Sequence, residues 1–188
     1  MYRVLKGYVN SYVVESDDGL VLVDCGMPKK ADRIAGAIRD MGRDARDVHR
    51  ILITHHHLDH VGSLPVLARI GPDQPPCPVN EEVGDGDVLD GGFRVVHTPG
   101  HTAGHTSYLL DREGGVLIAG DAAGARGTKA GPPIGAVIGM YTEGLGEAVR
   151  SFRKLAALEF EVAVTGHGQP VRSGAAEVFR RNLSRLPG

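Results

Sequence analysis

The chain has 188 residues, 41 % of them hydrophobic, and a formal net charge of −2; this is a size for one domain, expected over 1–188, with enough apolar residue to bury a core. Its basic residues are dispersed, Arg180 and Arg181 being the main local pair, so bulk electrostatics argue for neither nucleic acid nor a membrane surface as partner. No stretch nears the ~20 apolar residues of a membrane span, Met1 to Lys6 lacks the long apolar core of a signal peptide, and two cysteines, Cys25 and Cys77, make no disulfide framework, which together predict a cytoplasmic protein with reduced thiols.

Tyr8 to Val14 and Leu20 to Asp24 read as a hairpin around the turn residues Asp17, Asp18 and Gly19. Ile34, Ala35, Ile38 and Met41 then recur at helical spacing and stop at Gly42. The apolar run Arg50 to Thr54 reads as a strand, followed by Ser63 as the cap of a short helix with Pro65 in its first turn and Leu64, Leu67 and Ala68 facing inward. Phe93 to His97, Thr106 to Leu110 and Val116 to Ala119 return to strand character. Leu145, Ala148, Val149, Phe152, Leu155 and Ala156 form the apolar face of a further helix, and Val178, Phe179, Leu183 and Leu186 mark the last. Periodicity alone gives an α/β chain without internal repeats.

The strand at Arg50 to Thr54 runs straight into His55-His56-His57-Leu58-Asp59-His60. In extended chain His55 and His57 point to one side and His56 to the other, while Asp59 and His60 fall where the chain turns toward Gly62. Four donors in six residues exceed what one tetrahedral ion with an open reaction position takes, and point to two adjacent metals; the bland alternative is a polar turn with surplus histidines. Three later segments end in the same way: Thr98-Pro99-Gly100-His101, Val116-Leu117-Ile118-Ala119-Gly120-Asp121, and Val162-Ala163-Val164-Thr165-Gly166-His167. Each delivers a His or Asp at a Gly-bounded turn, and donors released at strand ends are held more rigidly than donors in mid-loop.

In this order the residues resemble the metallo-β-lactamase superfamily, whose pattern H-x-H-x-D-H, H, D, H is matched by His55, His57, Asp59, His60, His101, Asp121 and His167. The resemblance implies an αβ/βα sandwich of two sheets flanked by helices. It also implies His55, His57 and His101 on a first metal, Asp59, His60 and His167 on a second, and Asp121 bridging them, with Asp59 and Asp121 the candidate catalytic carboxylates. Two divalent ions, zinc first and iron or manganese as alternatives, would lower the pKa of a shared water so that hydroxide attacks a carbonyl near neutral pH. His105 and Asp24 are candidates for outer support of the ligands; for His105 packing or substrate contact stay open beside it. His49, His56 and His97 are expected to lie outside the metal set, and Cys25 is read as a small buried side chain.

Asp121 at the bridging position resembles the thioesterase, lactonase and general hydrolase branches, since true metallo-β-lactamases usually carry cysteine or serine there. The closest resemblance is to small prokaryotic glyoxalase II-like hydrolases. Thioester cleavage, of the hydroxyacylglutathione hydrolase kind, is therefore expected before lactone opening, on a small-molecule ester or thioester substrate. Two rivals are a mononuclear iron persulfide dioxygenase, which the placement of Arg126 keeps in view, and a non-enzymatic metal-binding module, which has no use for an open pair of sites. The segment between His60 and His101 is shorter than in those relatives, so a more open cleft, or one covered by a second copy of the chain in a homo-oligomer, is expected. Pro72 to Pro78 and Gly131 to Tyr141 are the candidate covers, and Arg126 and Tyr141 the candidate substrate contacts.

Overall fold

The computed structural model describes residues 1–68, 79–125, 134–135 and 142–186. The chain divides into two compact units, Met1–Glu82 and Val83–Gly188.

The first unit carries a four-stranded mixed sheet of β1 (Tyr2–Leu5), β2 (Ser11–Ser16), β3 (Gly19–Val23) and β4 (Val48–Leu52), paired in that order. The expected hairpin is β2–β3, with Ser16 opposite Gly19 across the Asp17-Asp18 turn. Strands β3 and β4 are parallel, so the chain must cross over between them. It does so through α1 (Ala31–Asp40), whose Ala31, Ile34 and Ile38 are buried one and two turns apart. These residues pack with Val13, Leu20, Leu22 and Cys25 into the core of this unit. A capped turn at Ala45–Asp47 aims the chain into β4, Asp44 accepting the Arg46 N–H and Asp47 the Asp44 N–H. The sheet is followed by two short helices, α2 (Leu58–Val61) and α3 (Leu64–Leu67).

The second unit has a five-stranded sheet of β5 (Val88–Leu89), β6 (Phe93–His97), β7 (Thr106–Leu110), β8 (Val116–Ile118) and β11 (Val162–Val164). Its order is β11-β8-β7-β6-β5, antiparallel except for the parallel pair β8–β11. A small ribbon, β9 (Gly124–Ala125) with β10 (Ile134–Gly135), and helix α4 (Leu145–Ala156) lie between β8 and β11 in sequence, and α5 (Ala175–Asn182) follows. Phe152 of α4 stacks on Phe179 of α5 with ring centroids 4.9 Å apart, and Phe160 meets Phe179 edge-on at 5.2 Å. With Leu117, Leu155 and Ala163 they form a fully buried core in which truncating one aromatic would cost about 3–5 kcal/mol.

Two expectations are corrected by this architecture. Leu183 and Leu186 pack against the core of the second unit but are not part of the last helix, which ends at Asn182 and tightens into a 3₁₀ turn over Leu183–Arg185. Ser63 does precede α3, with Pro65 in the first turn, yet its hydroxyl does not cap that helix. It donates to the Met27 carbonyl at 2.6 Å and accepts the Lys30 N–H at 2.9 Å, tying the loop after β3 to the loop after α2. Cys25 is buried, as read. Cys77, Arg126, Tyr141, the Pro72 to Pro78 stretch and Gly131 to Tyr141, apart from the Ile134–Gly135 backbone, lie outside the described residues. Among the described residues no helix is long and apolar enough to cross a membrane.

Candidate metal centre

Among the described residues each unit holds one parallel strand pair, and all the candidate donors but His101, which lies in the loop between the antiparallel strands β6 and β7, follow the C-terminal ends of those pairs. In open α/β sheets this edge is where ligands bind, because adjacent strands release their loops side by side.

In the first unit β4 ends at Leu52 and the donor run begins three residues on, at His55. His55 is buried, His56 exposed and His57 partly buried, the alternation that extended chain dictates. The His55 and His57 rings stand 4.8 Å apart and nearly perpendicular. His57, with ψ 146°, then serves as the N-terminal boundary of α2, and its carbonyl accepts the N–H groups of His60 and Val61. That single helical turn swings His60 back, bringing its ring centroid to 4.0 Å from that of His55 and its Nε2 to 4.0 Å from Asp59 Oδ2.

Asp24, at the end of β3, fixes this cluster from behind. Its Oδ1 accepts the Thr54 N–H at 2.9 Å, and its Oδ2 accepts the Thr54 hydroxyl at 2.9 Å and His60 Nδ1 at 2.8 Å. Because Thr54 Oγ1 gives its proton to Asp24, the 3.0 Å contact with His55 requires His55 Nδ1 to donate. Both rings therefore carry their proton on Nδ1 and their lone pair on Nε2, the form in which a neutral imidazole ligates metal. Asp24 adopts φ 58° to make these contacts, a backbone region that costs a non-glycine residue on the order of 1 kcal/mol.

In the second unit Asp121 lies in the turn Gly120–Ala122 directly after β8, and His167 in the loop after the adjacent parallel strand β11. The Gly166 N–H to Gly120 carbonyl bond at 2.9 Å ties these two loops together. Asp121 Oδ2 lies 3.2 Å from His167 Nε2 and 3.5 Å from His101 Nε2, so two imidazoles converge on one carboxylate. His101 sits in the loop from β6 to β7, closed at its base by Thr98 N–H to His105 carbonyl. Beside it the Asp85 carboxylate accepts the His97 N–H at 2.8 Å and Lys154 Nζ at 2.6 Å, and first the Lys154 ammonium, then that N–H, holds it below the usual carboxylate range. From α4 and the residues before it, the N–H groups of Glu143 and Gly144 reach the carbonyls of His101 and Gly100, and Ser151 Oγ donates to the Pro99 carbonyl.

These approaches explain two glycines. A Cβ on Gly100, at φ +130°, would stand 2.2 Å from the Ala148 nitrogen, and one on Gly62 would stand 2.3 Å from Pro28. Gly62→Ala and Gly100→Ala are each expected to lower stability by about 1–3 kcal/mol through overpacking, Gly100→Ala the more because its backbone conformation also disfavours a side chain. Urea denaturation checks this, and a midpoint within error of wild type would mean the loops can part.

Of the remaining histidines, His49 and His56 are exposed, and His97 is exposed with its Nε2 donating to the Ala103 carbonyl at 3.1 Å. His105 is fully buried, with Thr98 Oγ1 at 2.8 Å on Nδ1 and the Asp121 N–H at 3.0 Å on Nε2, so both ring nitrogens meet protein groups in the interior. The supporting residues Thr54, Thr98, Ser107 and Glu143 escaped sequence reasoning. Thr54 and Thr98 could have been found as hydroxyl residues beside donor turns, whereas Glu143, which accepts the Ala103 N–H from forty residues away, gives no local signal.

The donor chemistry of both clusters, neutral imidazoles around carboxylates, suits a divalent metal. The family model for the metallo-beta-lactamase superfamily matches residues 4–83 and 69–167. The chain belongs to that superfamily, and its α/β architecture of two mixed sheets with helices is the superfamily's fold. Among curated proteins it is similar to YobT of Bacillus subtilis, 30 % identical over 205 residues that cover 88 % of this chain and 85 % of that one. It is 39 % identical over 126 residues to the hydroxyacylglutathione hydrolase of Aliivibrio fischeri, covering 61 % of this chain and 45 % of the relative. A third relative, the atrochrysone carboxyl ACP thioesterase of Aspergillus fumigatus, is 28 % identical over 177 residues, 87 % of this chain and 52 % of its own. The chain thus spans about half the length of the hydrolase and thioesterase it matches. A solved metallo-beta-lactamase family protein from Thermus thermophilus superposes with a TM-score of 0.72 at 25 % identity, over 94 % of this chain and 74 % of that one. A beta-lactamase from Chitinophaga pinensis does so with a TM-score of 0.71 at 20 % identity, over 98 % and 87 %, a likeness of fold alone.

Proposed function

We propose that the chain is a binuclear metal-dependent hydrolase that cleaves a carbonyl ester, a thioester first and a lactone next. The observation that carries this reading is the arrangement of Asp121, whose Oδ2 faces both His101 Nε2 and His167 Nε2, as a carboxylate shared between two ions must. In this reading His55, His57 and His101 hold one ion, Asp59, His60 and His167 the other, and Asp121 both. The hydroxyacylglutathione hydrolase and acyl-carrier thioesterase names among its relatives support a thioester as substrate.

When bound, the ions supply a water acidic enough to act at neutral pH and a Lewis acid for the carbonyl under attack. The chain's own work is to present the ligands in the correct protonation state. Asp24 and Thr54 keep the protons of His60 and His55 on Nδ1, so neither ring has to reorganise on binding. No serine or cysteine nucleophile is invoked, and Cys25 is buried in the core of the first unit.

Bound-metal analysis of native protein, with an oxygen electrode and a thiol-release assay on the same preparation, tests the reading. About two metals per chain, one for each set of three or four donors, and thiol release without oxygen uptake are expected, at rates far above those for β-lactam opening. Iron-dependent oxygen uptake with glutathione persulfide, lost on replacing Arg126, would overturn it in favour of a mononuclear dioxygenase. A single bound ion with neither activity would leave only a metal-binding module.

A further inference from the structure

We infer that His105 is a positioning residue for Asp121, acting as a neutral imidazole locked in its Nδ1–H form at the head of a one-way hydrogen-bond chain. The inference rests on the reading of Asp121 as a metal ligand.

The direction of the chain follows from its two ends. A backbone N–H can only donate, so the Asp121 N–H at 3.0 Å requires His105 Nε2 to be the acceptor. Nδ1 therefore holds the ring proton and donates to Thr98 Oγ1 at 2.8 Å. At the other end a carbonyl can only accept, so Ser107 Oγ donates to the Ala119 carbonyl at 3.0 Å. Ser107 has then used its proton, and the 2.9 Å contact between Thr98 and Ser107 must be Thr98 donating to Ser107. These four bonds run in one direction, from the Asp121 N–H to the Ala119 carbonyl.

The three side-chain members, Thr98, His105 and Ser107, are buried, as is Asp121, so water does not compete for these bonds. The chain begins on Asp121 and ends on Ala119, the two residues flanking Gly120, which sits at φ +54°. It therefore clamps the turn that swings Asp121 out of β8. The same residues hold the base of the His101 loop, since the Thr98 N–H bonds to the His105 carbonyl. One buried ring thus sets the carboxylate and braces the loop of a histidine 3.5 Å from it. A doubly protonated or Nε2–H ring would point a proton at the Asp121 N–H and release the turn.

Nitrogen NMR on ¹⁵N-histidine-labelled protein, metal-free and zinc-loaded, reads the ring directly: His105 is expected as the Nδ1–H tautomer in both. The Nε2–H tautomer or a charged ring in either sample overturns the inference. Zinc affinity by chelator competition then separates positioning from packing. His105→Leu leaves the Asp121 N–H without an acceptor and is expected to weaken zinc binding ~10–100-fold, the usual loss for an outer support of a metal ligand. His105→Gln can present its amide oxygen to that N–H and should recover most of the affinity. Thr98→Val, nearly isosteric, should keep the fold while letting the His105 tautomer signals mix. Wild-type affinity in the folded Leu variant, or no recovery in the Gln variant, would reduce His105 to packing. Wild-type protein that binds no metal would instead remove the reading of Asp121 and this inference with it.

Discussion

Replacing Asp121 by Asn is expected to leave the chain folded while removing most of its proposed activity. The amide is nearly the same size as the carboxylate, and the Asp121 backbone remains held by its N–H bond to His105 Nε2. What disappears is the negative charge facing His101 Nε2 at 3.5 Å and His167 Nε2 at 3.2 Å. Two like-charged ions held near one another need that charge between them, and an amide can offer only one weak oxygen. Bound metal should fall below two per chain, and thiol release should drop by more than the ~10–100-fold typical of losing an outer hydrogen-bond partner. Metal analysis with steady-state kinetics on a variant of unchanged melting temperature checks this. Unchanged turnover would take Asp121 out of the mechanism.

Both donor clusters were legible in the sequence because their signal is local. A strand that ends in His-x-His must put both rings on one side, and a Gly-bounded turn after an apolar run places its Asp or His at the sheet edge. Helix α4 was nearly as plain: of the six apolar residues expected on its inward face five are buried, and only Leu145, in the first turn, is exposed. Ser63 was misread because N-capping depends on a short-range geometry that tertiary contacts can outbid, here the Met27 carbonyl and Lys30 N–H. The end of α5 was placed too far along for a related reason: Leu183 and Leu186 satisfy the apolar pattern whether the chain is α-helical or has already tightened. The hydroxyl supports at Thr54, Thr98 and Ser107 stayed hidden because threonine and serine are ordinary strand-end residues, and only the direction of their hydrogen bonds shows what they carry.

Asp24→Asn offers the second large effect, and it separates strain from chemistry. Asp24 sits at φ 58°, a conformation that asparagine tolerates at least as well as aspartate, so the substitution asks nothing new of the backbone. The amide oxygen can still accept the Thr54 N–H. Its NH₂ group, however, replaces the oxygen that now accepts the Thr54 hydroxyl at 2.9 Å and His60 Nδ1 at 2.8 Å. Thr54 can answer by rotating its hydroxyl. His60 can answer only by moving its proton from Nδ1 to Nε2, which spoils the nitrogen proposed to bind metal, or by leaving two donors face to face in a site with no exposure. Losing a hydrogen bond to a charged group should cost about 1.5–3 kcal/mol of stability, and zinc affinity should fall ~10–100-fold. Denaturant titration and chelator competition on the same variant read the two effects separately. If Asp24→Asn loses stability yet binds zinc as wild type does, the carboxylate holds β3 to the donor loop and has no part in preparing His60 for a metal.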